Sequence, residues 1–441
     1  LAWFFFALTT AFCIALVVHS LLVRGRYFHF SFLAAAIFLI FVTPQMPGII
    51  SSRFISEGAV VKTLFFSILC LAMCAIGWAW GMRGRRIRDL LFGESRLLVG
   101  AAVLSLVGAY FFYKFDHLPD EQRLRGILTG AAVSYLFFAK LLTYGFAIAI
   151  LCYARKPSYA ALSIVLFDTV FYLERIVIAG RRGEAAEFCL IIALAFWFQR
   201  RWAVPRYAVV ASLLFALVAM IGAGQYREAT FYNGTTNWSA LLNIDLKENW
   251  NQLIAQGGGE MTNAVTAINY IDERKGFDYG IEHWNSMVFA FVPAQLVGTE
   301  FKKSLAIPVP SVFQLGYETA VGSTSTGMTD AFASFWYFGC VKFLIIAWTM
   351  AWIYAAAMRG NTIMQLIYMM SAVPSMLTIT HFTNEIVIAW VHLAVFMSPA
   401  LYFARLPSPR VPTNRRVLHD DETQDILDRP VLDRGHGFAG G

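Results

Sequence analysis

The chain has 441 residues, of which 58% are hydrophobic and only 14% charged, and its formal net charge is +7. Soluble domains carry about 25% charged residues, so too little polar surface is present to cover a water-soluble body of this size. The positive balance does not argue for nucleic acid, because the cytoplasmic loops of a membrane protein give the same excess.

A membrane-crossing helix needs about 20 mostly apolar residues. Eleven segments meet that need: 1–22, 31–50, 59–82, 97–113, 126–153, 158–179, 184–199, 207–223, 331–357, 362–380 and 385–404. The junctions at Gly180 and His381 are tight, which sets a range of ten to thirteen spans. Backbone polar groups in lipid must be satisfied within the segment, so the spans are helices and the fold class is an all-α polytopic membrane protein. The first segment is too long for a signal-peptide core and has no basic stretch before it, so it reads as a span.

The loops at 23–30, 83–96, 154–157, 200–206 and 358–361 hold 13 Lys and Arg, and the alternate short loops hold 6. The first set is therefore predicted to be cytoplasmic. Residues 224–330 then face outward. That segment is not a linker. After Gly257, Gly258 and Gly259, the residues Met261, Ala264, Val265, Ile268 and Ile271 form an apolar stripe at helical spacing, with Gly276 as a stop. Residues 284–297 are apolar but too short to span, and read as an interfacial or re-entrant helix. Pro308 and Pro310 predict an extended turn. Four parts follow: an N-terminal membrane bundle over 1–223, an outward cap over 224–330, C-terminal membrane helices over 331–405, and a disordered cytoplasmic tail over 406–441.

The six cysteines all fall in apolar stretches with no metal-type pair, and read as small buried hydrophobes. No H-E-x-x-H, G-x-S-x-G or P-loop motif occurs, and no acidic cluster predicts a metal, so neither metal nor cofactor is expected.

Arginine is out of place in the outward loops. Arg181 and Arg182, in the turn from Gly180 to Gly183, sit where a guanidinium fork could bind phosphate oxygens. They could equally reach headgroups or bridge Glu174, Glu184 or Glu187. Arg227 follows the eighth span at the same depth. Two outward arginine sites suggest a binuclear anion such as a diphosphate, against a plain pair with Glu228. Lys114, Arg123 and Arg125 form a weaker basic group suited to headgroups.

For proton transfer the outward candidates are Asp330, His283, His381, Glu260, Glu282 and Glu385. Asp330 could instead serve only as the negative charge at a helix start. Lys140, Asp168 and Lys342 are ionisable inside spans, which suggests either an ion path or packing pairs.

The Gly180–Gly183 turn, and the run from Gly322 to Asp330 followed by Phe335-Trp336-Tyr337-Phe338-Gly339, carry a resemblance. Over most of 1–405 the chain resembles the bacterial O-antigen and exopolysaccharide repeat-unit polymerases of the Wzy type, and the related O-antigen ligases. The resemblance implies a GT-C-like, metal-independent glycosyltransferase in the bacterial inner membrane, with its large loop periplasmic and its C-terminus cytoplasmic. The growing glycan would pass from a polyprenyl diphosphate to a sugar hydroxyl on the next lipid-linked unit. A chain-length regulator and a flippase of the same pathway are the implied protein partners, membrane lipids surround the chain, and nucleic acid has no part. Two other readings stand beside it: a ligase sending glycan to lipid A core, and a transporter or flippase for such lipids. No internal repeat supports the transporter.

Overall fold

The computed structural model describes residues 1–84, 87, 90–119, 130–232, 237–292, 294–308 and 325–407. Among the described residues all regular elements are helices, joined by an isolated bridge between Phe92 and Arg405. Eight are long and apolar enough to cross a membrane. They are α1 (Ala2–Leu22), α2 (Phe30–Ser51), α3 (Glu57–Gly81), α4 (Glu94–Asp116), α5 (Ala131–Arg155), the stretch Gly327–Met358, and two that follow it, Thr362–Thr380 and Glu385–Ala404. The chain is an all-α polytopic membrane protein.

The two predicted spans at 158–179 and 184–199 are also helical, as α6 (Tyr159–Leu173) and α7 (Arg182–Arg200). Both fall outside the set above. α6 runs only 15 residues before it loosens into a π-turn at Glu174–Ile178. The first two turns of α7 carry Arg182, Glu184 and Glu187. The segment at 207–223 becomes α8 (Arg206–Ile221), which bends by 71° into Ala223–Thr230 and makes a ninth crossing if the bent pair counts as one. Gly222 occupies the bend.

The 224–330 segment folds in pieces: α9 (Leu246–Gln256), α10 (Gly259–Arg274), α11 (Ile281–Phe291) and α12 (Thr299–Leu305). The predicted stripe is real. Met261, Ala264, Val265, Ile268 and Ile271 are all buried, and they pack into the same core as the spans. α10 therefore lies within the body of the protein. Its apolar face needs a partner, and α3 supplies one. The helix stops at Arg274, where Lys275 takes a left-handed conformation and Gly276 donates its N–H to the Ile271 carbonyl. The predicted helix at 284–297 starts earlier, at Ile281, breaks after Phe291 and resumes as a short turn over Ala294–Val297. Pro308 is outside any helix, while Pro310 lies outside the described residues.

Gly327–Met358 is not one rod. It divides into α13 (Gly327–Phe335) and α14 (Val341–Met358), because Trp336 adopts φ +53 and a short 3₁₀ turn follows. The last two helices are α15 (Thr362–Thr380) and α16 (Glu385–Ala404). α3 and α14 pack most tightly. A Cβ at Gly77 or Gly81 would collide with the Leu344 or Trp348 carbonyl, so this small-x-x-x-small face lets the two backbones touch. Residues Leu1–Leu406 form one compact unit. Beyond residue 407 the predicted tail lies outside the described residues, as do Arg123, Arg125 and the start of the Gly322–Asp330 run.

Candidate functional site

Two polar clusters meet at the turn between α15 and α16. The first is built around Asp330, in the first turn of α13. Thr326 caps that helix, its Oγ1 accepting from the Thr329 N–H at 3.3 Å. The Asp330 carboxylate, almost fully buried, is left for other partners. Its Oδ2 accepts from the Thr383 N–H and the Thr383 hydroxyl, both at 2.6 Å. Its Oδ1 faces His283 Nε2 at 3.0 Å and Lys342 Nζ at 3.3 Å. Lys342 also donates to Ser334 Oγ at 2.8 Å. His283 Nε2 lies within 2.9 Å of both Lys342 Nζ and Thr383 Oγ1. That nitrogen is shared among three neighbours, and Nδ1 on the same ring is buried with no hydrogen-bond partner among the described residues. His283 thus has no open nitrogen to offer a substrate. Burial, followed by the charges of Asp278 and Asp330, raises the Glu282 pKa.

The second cluster is cationic. Gly180, at φ +59, turns the chain so that its Cα packs on the Tyr226 ring and the Arg227 stem. The Tyr226 hydroxyl donates to the Val177 carbonyl at 2.6 Å and locks this contact. Arg182, the first residue of α7, is thereby set beside Arg227. Burial and the Arg227 charge lower the Arg182 pKa, while Glu260 acts in the opposite sense. Neither Arg182 nor Arg227 forms an ion pair among the described residues, and Arg227 Nε is buried without a partner. Glu184 pairs instead with Arg175, at 2.6 Å. Arg181, at the N-cap of α7, and Arg182 are both solvent-exposed, but only Arg182 lines the cavity.

That cavity has a volume of about 160 Å³. Arg182, Glu260, Gln45 and Asn249 form its polar lining, and Phe41, Met220, Ile221 and Leu253 its apolar lining. Gln45 is itself buried, and its Oε1 accepts from the Met261 N–H at 3.2 Å, which holds the start of α10 at the cavity. Glu260 sits in that first turn.

His381 stands between the clusters. Its Nδ1 meets Thr380 Oγ1 at 2.8 Å, and its Nε2 has no hydrogen-bond partner among the described residues. Burial first, then Arg182, lowers its pKa from the ordinary 6.5, so the ring is neutral at physiological pH. The turn carrying it is clamped from two sides. Thr383 holds Asp330, and Asn384 donates to Ser286 Oγ at 2.6 Å. A Cβ at Gly327 would collide with the Thr378 carbonyl, so only glycine lets α13 approach α15 this closely.

Of the six predicted site residues, Arg182, Arg227 and His381 come together, and Asp330 and His283 form the network beside them. Sequence reasoning missed Thr383, Ser334, Gln45 and Asn249, which are neutral residues with no motif around them. Lys342 was legible only as an ionisable group in a span. Among the loop aromatics, Trp284 donates to the Leu305 carbonyl and Tyr270 lies under Arg274, and neither lines the cavity. No group of three His, Cys, Asp or Glu is placed to hold a metal among the described residues. Comparison with family models, curated proteins and solved structures finds no match to this chain.

Proposed function

We propose that the protein is a membrane glycosyltransferase that extends a polysaccharide from polyprenyl-diphosphate-linked repeat units, with its site at the periplasmic face of a bacterial inner membrane. The observation that carries this reading is the juxtaposition of Arg182, Arg227 and His381. Arg182, without an ion-pair partner among the described residues, lines a cavity, with the Arg227 charge beside it and a neutral imidazole with an open nitrogen close by.

Glycosyl transfer from a diphosphate has two electrostatic demands. Negative charge grows on the departing phosphate oxygens, and preorganised cations stabilise it. Arg182 and Arg227 supply planar donor forks for that charge. The acceptor hydroxyl must lose its proton as its oxygen bonds to the glycosyl carbon. His381 Nε2 takes that proton while the bond from the glycosyl carbon to the diphosphate oxygen breaks. Asp330 and His283 act through position: with Lys342 and Thr383 they fix the turn that carries His381. The mixed lining of the cavity suits a polar headgroup entering from an apolar seam.

The test uses purified protein in liposomes with a lipid-linked oligosaccharide. A ladder of longer glycans is the expected result. Absence of a ladder with every lipid-linked donor tried, together with movement of lipid across the sealed bilayer, overturns the reading. Glycan appearing on lipid A core instead of on a second repeat unit would assign the same chemistry to a ligase.

A further inference from the structure

A second set of polar groups lies in the seam of α4, α5, α6 and α7, away from the arginine cavity. Asp168 on α6 is fully buried, and Tyr172, one turn further along the same face, is nearly so. Ser105 is the middle residue of α4, a helix long enough to cross the membrane, so the group it touches lies at mid-bundle. Its Oγ donates to Asp168 Oδ2 at 2.8 Å. Any Cβ at Gly145 of α5 would collide with that hydroxyl, so glycine there keeps the helices in register around the carboxylate.

The other carboxylate oxygen is unsatisfied. Asp168 Oδ1 is buried without a hydrogen-bond partner among the described residues, while the buried Tyr172 hydroxyl faces Thr143. Asp168 forms no ion pair there either. The charged groups of the neighbouring helices face other residues. Lys140 on α5 acts on Glu187 and Glu385, while Glu184 and Arg175 act on Glu187 and Tyr172. These groups form a file. The Arg175–Glu184 pair stands partly exposed at one end, Tyr172 and the buried Glu187 follow, and Asp168 with Ser105 lies at the bottom. Arg175 to Asp168 is two turns of helix, about 10 Å.

A buried carboxylate with no counter-charge is costly unless something neutralises it. Intramembrane acids of this kind mark ion or proton sites. We propose that Asp168, with Ser105 and Tyr172, binds a small monovalent cation, a proton or a sodium ion, reached through the file that begins at Arg175 and Glu184. One carboxylate and two hydroxyls match a single positive charge. The site shares no residue with the cavity beside Arg182, so its fate is independent of the glycan reading.

The experiment compares the full-length protein with Asp168→Asn, which keeps an acceptor for Ser105 but cannot hold a charge. One arm measures the apparent unfolding midpoint in sodium chloride against choline chloride at equal ionic strength. The other records infrared difference spectra and reads the protonated-carboxyl stretch near neutral pH. A rise of about 2–4 °C with sodium in the native chain, absent in the variant, identifies sodium. No sodium effect, with a protonated-carboxyl band that the variant deletes, identifies the proton. Absence of both signals overturns the proposal and leaves Asp168 ionised by packing alone. Ser105→Ala, which keeps the carboxylate, is measured alongside in case the first variant does not fold. It should shift the band or weaken the sodium effect.

Discussion

Replacing Asp330 by Asn perturbs the site at its most connected atom pair. The carboxylate receives Thr383 N–H, Thr383 O–H, His283 Nε2 and Lys342 Nζ. Asn keeps the shape but removes the charge, and its NH₂ meets donors on whichever side it points. Lys342 is left as a mostly buried cation without its carboxylate, its side chain 18% exposed against 5% for Asp330. Breaking one member of such a pair costs about 3–5 kcal/mol, a large share of the roughly 5–15 kcal/mol that holds a domain together. The apparent unfolding midpoint of Asp330→Asn in detergent should therefore fall clearly. Adding Lys342→Met removes the stranded cation, and the double variant should recover most of that loss. Chain growth should stay low in both, because Thr383 no longer has its charged anchor and the His381 turn loosens. An Asp330→Asn midpoint equal to that of the native chain would refute this account. So would a double variant no more stable than the single one.

Other predictions concern the arginines, the imidazole and the packing. Arg182→Ala and Arg227→Ala should each cut chain growth by about 10²–10³-fold, the usual effect of losing one preorganised donor, with insertion unchanged on membrane fractionation. Arg182→Lys should restore only part of that, since a single ammonium cannot reproduce the fork. Because burial and Arg182 lower the His381 pKa, chain growth should be level above pH 6.5 and fall only as pH drops through that lowered value. Its imidazole resonance should titrate at higher pH in Arg182→Ala. Gly81→Leu should drive a side chain into the Trp348 carbonyl, at a cost of at least about 1–3 kcal/mol, read as reduced yield of folded protein.

Much of the fold was legible because it rests on local chemistry. An apolar run of about 20 residues must be helical in lipid whatever surrounds it. The stripe from Met261 to Ile271 announces one buried face of α10 by spacing alone. The nearness of Arg182 to Arg227 was legible because guanidinium groups are expensive near lipid and so stand out against their neighbours. The depth match between the Gly180 turn and Arg227 could also be argued from span lengths.

The rest required tertiary contacts. Whether Arg181 or Arg182 faces the cavity depends on where α7 starts, since adjacent residues on a helix point about 100° apart. A charge at the head of α13 could have been a simple helix-start residue. Partners from Thr383, His283 and Lys342, distant in sequence, turned Asp330 into a clamp instead. The packing role of Gly327 and the anchoring role of Thr383 exist only where α13 meets α15 and its following turn. The sequence by itself determined a helical membrane protein. Which arginine lies beside His381, and which partners Asp330 takes, was decided by packing between segments far apart in the chain.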